Sequence, residues 1–316
     1  MNRCKFLVLA SASAAALGPI AAGAHVIVGD RLFPVTLTLD DPGVADEVSI
    51  PSFTYTRSGA NGGTGSTHEF DFGFEFDKTI TANTALIANY GWDIFHTYGS
   101  KTQTGFENLF VTGKWQAYTD PAHEFVVSLG VVQEIGGTGT EHTGADATGS
   151  TAPTLYFGKG LGDLPIGFLR PLAITGELSY AIADKGLKAI PVADSTGATA
   201  LQFNDGQANQ WSAGFSVQYS LPYLQQHVRD IGLGGFVGHL IPLVEVTWSS
   251  PAGRPSVQPT TWTVAPGVIY MADWYQVGIE ALIPGNKAAG SNVGVLALFH
   301  VFLDDVLPNS LGRPIF

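Results

Sequence analysis

Ten consecutive residues, His68 to Asp77, sort their side chains into two chemically opposite sets. Phe70, Phe72, Phe74 and Phe76 alternate with Glu69, Asp71, Gly73, Glu75 and Asp77. A period of two belongs to an extended chain, so this segment is a strand with rings on one face and carboxylates on the other. Packing the acidic face into a soluble sandwich core would desolvate four carboxylates. A wet lumen holds them at little cost while the rings face hydrocarbon.

The pattern repeats in Gln210 to Leu221, where Trp211, Ala213, Phe215, Val217, Tyr219 and Leu221 alternate with polar or small residues. Weaker alternation marks Ala85 to Phe95, Gly105 to Tyr118, Glu124 to Ile135, Thr151 to Gly160 and Leu169 to Ala183. It continues in Val237 to Ser249, Thr260 to Ala272, Tyr275 to Ile283 and Asn292 to Leu303, and Pro51 to Arg57 brings the number of strands to twelve. Charged residues are only 13% of the chain and glycine numbers 39, yet no segment after the first two dozen residues holds 18 uninterrupted apolar residues. Spread-out apolarity of this kind fits strands that show lipid one face each, and the expected fold is an all-β, transmembrane, antiparallel outer-membrane β-barrel.

The connections follow the same logic, since such barrels alternate short periplasmic turns with longer external loops. External loops are expected at residues 58–66, 98–104, 136–150, 184–206, 250–259 and 284–291, and turns at 78–83, 119–123, 161–168, 222–236 and 273–274. Within the long 222–236 turn, Tyr223 to Arg229 reads as a short amphipathic turn of helix. Tyr90, Trp92, Trp115, Tyr118, Tyr180, Trp211, Tyr219, Trp248, Trp262, Tyr270 and Trp274 lie toward strand ends, where girdle aromatics belong.

Arg3 and Lys5, the small and apolar Phe6 to Ala16, and Ala22-Gly23-Ala24 together read as a signal peptide, residues 1–24, cleaved after Ala24. Losing Arg3 and Lys5 from 15 basic residues leaves 13 against 27 acidic ones, and Cys4, the sole cysteine, leaves too. A Cys-ligated metal, an Fe–S cluster and a Cys nucleophile are therefore excluded. Residues 25–50 are expected as a periplasmic segment or plug, 51–303 as the barrel and 304–316 as a tail. In the plug candidate Phe33, Val35, Leu37 and Leu39 alternate with Pro34, Thr36 and Thr38 until Asp40 and Asp41. Both faces of the last strand are largely apolar, so one of them is expected to pack on something inside.

With the lipid face assigned, the lumen-lining residues are Asp71, Glu75, Asn89, Asp93, Asn108, Lys114, Gln116, Glu134, Glu177, Gln218, His239, Glu245, Gln276 and Glu280. This set reads either as a narrow passage that favours cations or neutral polar solutes, or as a salt-bridged fill that plugs the barrel. His25, the new N-terminus, could chelate copper beside a second histidine, but His68, His96, His123, His142, His227, His239 and His300 show no ligand spacing. No metal site and no cofactor is expected. No G-x-S-x-G, H-E-x-x-H or P-loop pattern occurs, and no catalytic residue or enzymatic activity is expected.

Asp40-Asp41-Pro42 near the signal, the strand start Gly105-Phe106-Glu107-Asn108-Leu109 with Lys114 following, and alternating strands to the end resemble the meta-pathway phenol-degradation family of outer-membrane barrels. Glu107 and Asn108 stand where that family usually carries glycine and aspartate. The resemblance implies a transporter related in architecture to fatty-acid uptake channels. Outer-membrane lipid and the barrel-insertion machinery are the expected partners, with Phe316 or the strand end near Phe302 as the insertion signal. A small solute, hydrophobic or aromatic among the candidates, is the expected cargo, and no nucleic acid is expected. The alternative is a non-conducting structural or surface-interaction barrel that acts through its external loops.

Overall fold

The computed structural model describes residues 26–59, 65–193, 199–204, 206–253 and 258–316. The signal peptide and His25 lie outside them. Twelve long strands form the wall: β1 (Glu47–Ser58), β2 (Thr67–Thr81), β3 (Thr84–Thr97), β4 (Leu109–Asp120), β5 (Phe125–Ile135) and β6 (Ser150–Gly160) make the first half. The second half is β7 (Leu172–Ala183), β8 (Gln210–Tyr219), β9 (Leu240–Pro251), β10 (Thr261–Met271), β11 (Tyr275–Pro284) and β12 (Gly294–Phe302). Each strand pairs with its neighbour in sequence, and β1 pairs antiparallel with β12, so the ring is closed. Closure satisfies every edge, the condition for spanning lipid with strands.

The alternation explains which way the residues point. Leu86, Trp115, Leu129, Val131, Phe215, Ile279 and Phe299 are exposed on the outer face, while their neighbours Ile87, Lys114, Ser128, Ser216, Glu280 and His300 are buried. Trp115, Tyr118 and Trp274 are exposed near the ends carrying short turns, and Trp211, Trp248 and Trp262 near the ends carrying long loops. Two aromatic girdles around an apolar band make this an outer-membrane barrel that lies in the membrane with its short turns toward the periplasm. No helix among the described residues is long and apolar enough to cross a membrane.

The strands differ from the sequence reading at several ends. The first begins at Glu47 rather than Pro51, because residues 47–49 already pair with 75–77 before a bulge between Ser49 and Ser52. The stretch expected as one strand, Gly105 to Tyr118, is two: Gln103–Phe106 pairs with the outer end of β3, and β4 starts at Leu109 after a break at Glu107 and Asn108. The loop 184–206 carries its own hairpin, Ala189–Ala193 with Thr199–Phe203. Helical turns occupy Leu221–Tyr223 and Leu224–Val228 within the long turn.

The N-terminal segment lies inside the ring. Val26–Val28 and Arg31–Phe33 form a small hairpin whose Val26, Val28 and Phe33 pack against Val126 and Ala173 of the wall. From residue 35 the chain crosses the lumen through bends at residues 37–39 and 42–43, without joining the sheet. Leu37, with Leu32, packs on Ile241, Leu243, Ile269, Met271 and Phe302, which gives the apolar inner face of β12 its partner. The wall makes room with glycine: a Cβ at Gly278 would stand 2.5 Å from Leu37, and one at Gly214 would stand 2.3 Å from Leu39.

Candidate functional site

The lumen is divided by that bent segment, and polar side chains of the wall hold it. Glu245, fully buried, accepts hydrogen bonds through Oε2 from the N–H groups of Leu37 (3.1 Å) and Thr38 (2.8 Å). Gln276 Nε2 donates to the Val35 carbonyl at 2.6 Å, and Gln116 Oε1 accepts from Val44 N–H at 3.2 Å. Lys114 Nζ donates to the Asp41 carbonyl at 2.7 Å and lies 3.0 Å from one carboxylate oxygen each of Asp40 and Asp41. With Lys114 and Asp41 both buried, the pair offsets its desolvation only by this close geometry. A strand ladder would fix the segment by its whole backbone; here a few side chains do so.

A second set of contacts anchors the segment at the periplasmic rim. Arg31 is buried, its guanidinium bonded to Glu124 Oε2 at 3.2 Å and to the carbonyls of Pro171 (3.0 Å) and Arg170, and it stacks 3.8 Å from the Tyr223 ring centroid. Tyr223 donates to Glu124 Oε1 at 2.7 Å. Burial first, then this hydrogen bond and the nearby Glu124 charge, push the Tyr223 phenol up to about 12, so it stays a donor. The closing seam has its own tie. His300 Nδ1 is 2.9 Å from Ser49 Oγ and Nε2 is 3.2 Å from Glu47 Oε2. Serine, histidine and a carboxylate are also the parts of a hydrolytic triad; here they link β1 to β12 in a fully buried position.

Of the residues expected to line the lumen, Lys114, Gln116, Glu245 and Gln276 hold the plug, as just described. Glu75 and Asn89 bond to each other, and Glu134 accepts from Asn108 Nδ2 (2.8 Å) and Ser150 Oγ (3.0 Å). Gln218 donates to Thr175 at 3.3 Å. Glu280 is buried on the inner face, and Glu177 lines a space near the outer end bounded by Leu39 and Thr54. Asp71 and Asp93 are direct cross-strand partners of β2 and β3. His239 is the exception. It is exposed in a 3-10 turn before β9, its ring 5.7 Å from that of Tyr270, because the strand begins at Leu240 and the expected start at Val237 counted three turn residues as strand.

The alternation did not point to Glu107. At the break between Phe106 and Leu109 the chain carries one extra residue, and Glu107 and Asn108 both turn inward, against the period of two. Glu47 and Ser49 lie before the expected strand start at Pro51, and His300 lies on a strand whose two faces are both largely apolar in sequence. Asp40 and Asp41 were visible as a motif, but their pairing with Lys114 across the lumen was not.

Besides the space beside Glu177, the lumen toward the external end holds two that share a wall. One, of about 280 Å³, is bounded by Leu37, Leu39, Asp71, Glu75, Asn89 and Leu298. The other, of about 380 Å³, is bounded by Glu69, Asp93, Asn108, Glu134, Thr143 and Asp146. Glu107 and Phe110 belong to both walls. Asp71, Asp93 and Glu107 thus gather at the junction.

Comparison with solved structures supports the fold. An outer membrane channel from Pseudomonas putida F1 superimposes with a TM-score of 0.51 at 10% identity, covering 86% of this chain and 99% of that one. The NanC porin (TM-score 0.45, 12% identity, 80% of this chain and 98% of that one) is more distant. So is the β domain of the Bordetella autotransporter BrkA (0.44, 12%, 82% and 99%). No protein-family model matches the chain, nor does any curated protein sequence. The chain has the fold of the outer-membrane β-barrels, a class that includes channels and porins.

Proposed function

We propose that this barrel is a passive conduit for a small solute across the outer membrane, with a compact aromatic compound as the best-fitting cargo. The observation that carries the reading is a pair of neighbouring spaces beside and above the plug that share Glu107 and Phe110 in their walls. The lower one mixes Leu37, Leu39, Phe110 and Leu298 with Asp71, Glu75 and Asn89, a lining suited to a ring bearing a polar group. Its 280 Å³ exceeds the roughly 150 Å³ of an apolar cavity that binds benzene. The plug below it, held by a handful of side-chain bonds, is the element that would have to yield for passage. The resemblance to the phenol-degradation barrels supports the same cargo class, and the Pseudomonas putida neighbour is itself described as a channel.

A second reading, a non-conducting barrel working through its outer surface, is favoured by one observation. The two longest external loops touch, Gln207 Nε2 donating to the Thr148 carbonyl at 3.2 Å, and one of them builds its own hairpin. Single-channel recording of purified protein in planar bilayers, with uptake of a labelled phenol by a deletion strain and its complemented parent, separates the two. Stepwise openings or restored uptake support the conduit. A silent barrel and unchanged uptake support the surface protein.

A further inference from the structure

The sequence alone leads to the expectation of no metal site, since its histidines and carboxylates show no ligand spacing. The fold brings together what the spacing does not. One carboxylate oxygen each from Asp71, Asp93 and Glu107 lie within 4.8 Å of one another. Asp93 is 7% exposed, and its carboxylate takes part in no hydrogen bond or ion pair among the described residues. Asp71 Oδ1 is buried and likewise without a hydrogen-bond partner. Lys114, the cation of the middle lumen, is already engaged by Asp40 and Asp41.

The backbone is shaped to produce this gathering. Cross-strand pairing sets Asp71 opposite Asp93, an arrangement of like charges that destabilises a sheet unless something offsets it. The extra residue at the β3 and β4 seam then turns Glu107 inward onto the same spot. Gly91 leaves the space: a Cβ there would stand 2.1 Å from Glu107 Oε2. Glu69, the next acidic residue on β2, adds negative charge close by. A strand pairing, a bulge and a glycine thus converge on a concentration of negative charge.

We propose that Asp71, Asp93 and Glu107 bind one divalent cation of the calcium kind at the junction of the two outer spaces. All the ligands are carboxylate oxygens, which suit a hard cation and exclude one that seeks nitrogen or sulfur. Calcium takes six to eight oxygens at about 2.4 Å in flexible geometry, so three carboxylate oxygens gathered within 4.8 Å of one another can share one ion, with waters from the spaces above and below completing the shell. Magnesium demands a stricter octahedron and gives up its own waters reluctantly, so three side chains on three separate stretches of backbone suit it less well. The site does not depend on conduction, and its test is read on barrel that need not conduct.

Purified barrel in detergent, stripped with EDTA, is titrated calorimetrically with CaCl₂ and with MgCl₂ at matched ionic strength. The expected result is one calcium per chain, with magnesium weaker, and a loss of affinity of about tenfold or more in Asp71→Asn/Asp93→Asn. Glu141→Gln, on an exposed external turn, should bind as the parent does and so controls for overall charge. Heat-modifiable migration on gels reports whether each variant is folded; should the double variant not fold, Glu107→Gln decides by the same criterion. No calcium binding, equal response to both salts, or unchanged affinity in the folded variant would overturn the site.

Discussion

Around Lys114 the lumen supplies opposite charge, and Glu245 receives two backbone N–H groups on one oxygen although Glu280 beside it meets no donor, whereas around Asp71, Asp93 and Glu107, closer to the outer loops, it gathers carboxylates and no side-chain cation among the described residues answers them. The wall alternation is the same in both regions. What differs is the N-terminal segment, which brings Asp40, Asp41 and two backbone N–H groups to the first region and offers the second only the side of a shared space. A buried ion takes on a structural role where the chain delivers its counterpart, and is left available to a mobile ligand where it does not. The two regions should therefore respond to substitution in different measurable quantities, stability in one and binding in the other.

The sharpest break in that contrast is Lys114→Met. It strands Asp40 and Asp41 beside an apolar side chain, and unfolding by urea in detergent should show a loss of about 3–5 kcal/mol. Unchanged stability would mean that the plug is held elsewhere. Arg31→Met probes the rim, where four contacts converge on one guanidinium. A loss of about 1.5–3 kcal/mol is expected, with protease access to the N-terminal hairpin as a second readout. In the outer region Gly91→Ala should do the reverse. The atom it meets is the far end of a flexible side chain, so stability should shift by less than about 1 kcal/mol, while calcium affinity falls as Glu107 is pushed aside.

A pH-dependent effect belongs to the tail, where Asp304 follows β12 near Asp46. Burial, chiefly, with the charges of Asp46 and Asp305 adding to it, pushes its carboxyl from 3.8 up to about 7. The folded state then binds more protons than the unfolded one across that interval, so stability is greatest on the acid side and declines as pH rises from about 4 to 7. Asp304→Asn should remove that decline, unfolding like the parent at pH 4 and at higher urea than the parent at pH 8. Equal midpoints at both pH values would show that the group is not so perturbed. The tail also donates from Phe316 N–H to the Ile80 carbonyl at 3.0 Å, which ties the C-terminus to the β2 turn.

Much of the barrel was legible because each strand meets two solvents, and a period of two is the direct imprint of that. His68 to Asp77 and Gln210 to Tyr219 are strand in both readings, and the inward side of Asp71, Glu75 and Glu245 follows from parity alone. Parity also explains the failures. It cannot register an inserted residue, so Glu107 was left on the wrong face, and it has no end marker, so His239 was counted into a strand it precedes. The partners of Lys114 were hidden because they come from more than 70 positions away, through a segment that joins no sheet.

The central claim is that the outer lumen is an acidic, water-accessible path rather than a packed fill. Reversal potential across a planar bilayer under a tenfold KCl gradient tests it most directly. The account requires openings whose reversal lies toward the potassium equilibrium potential, and a weaker preference in Asp71→Asn/Asp93→Asn. A reversal toward chloride, or a preference untouched by those substitutions, would contradict it.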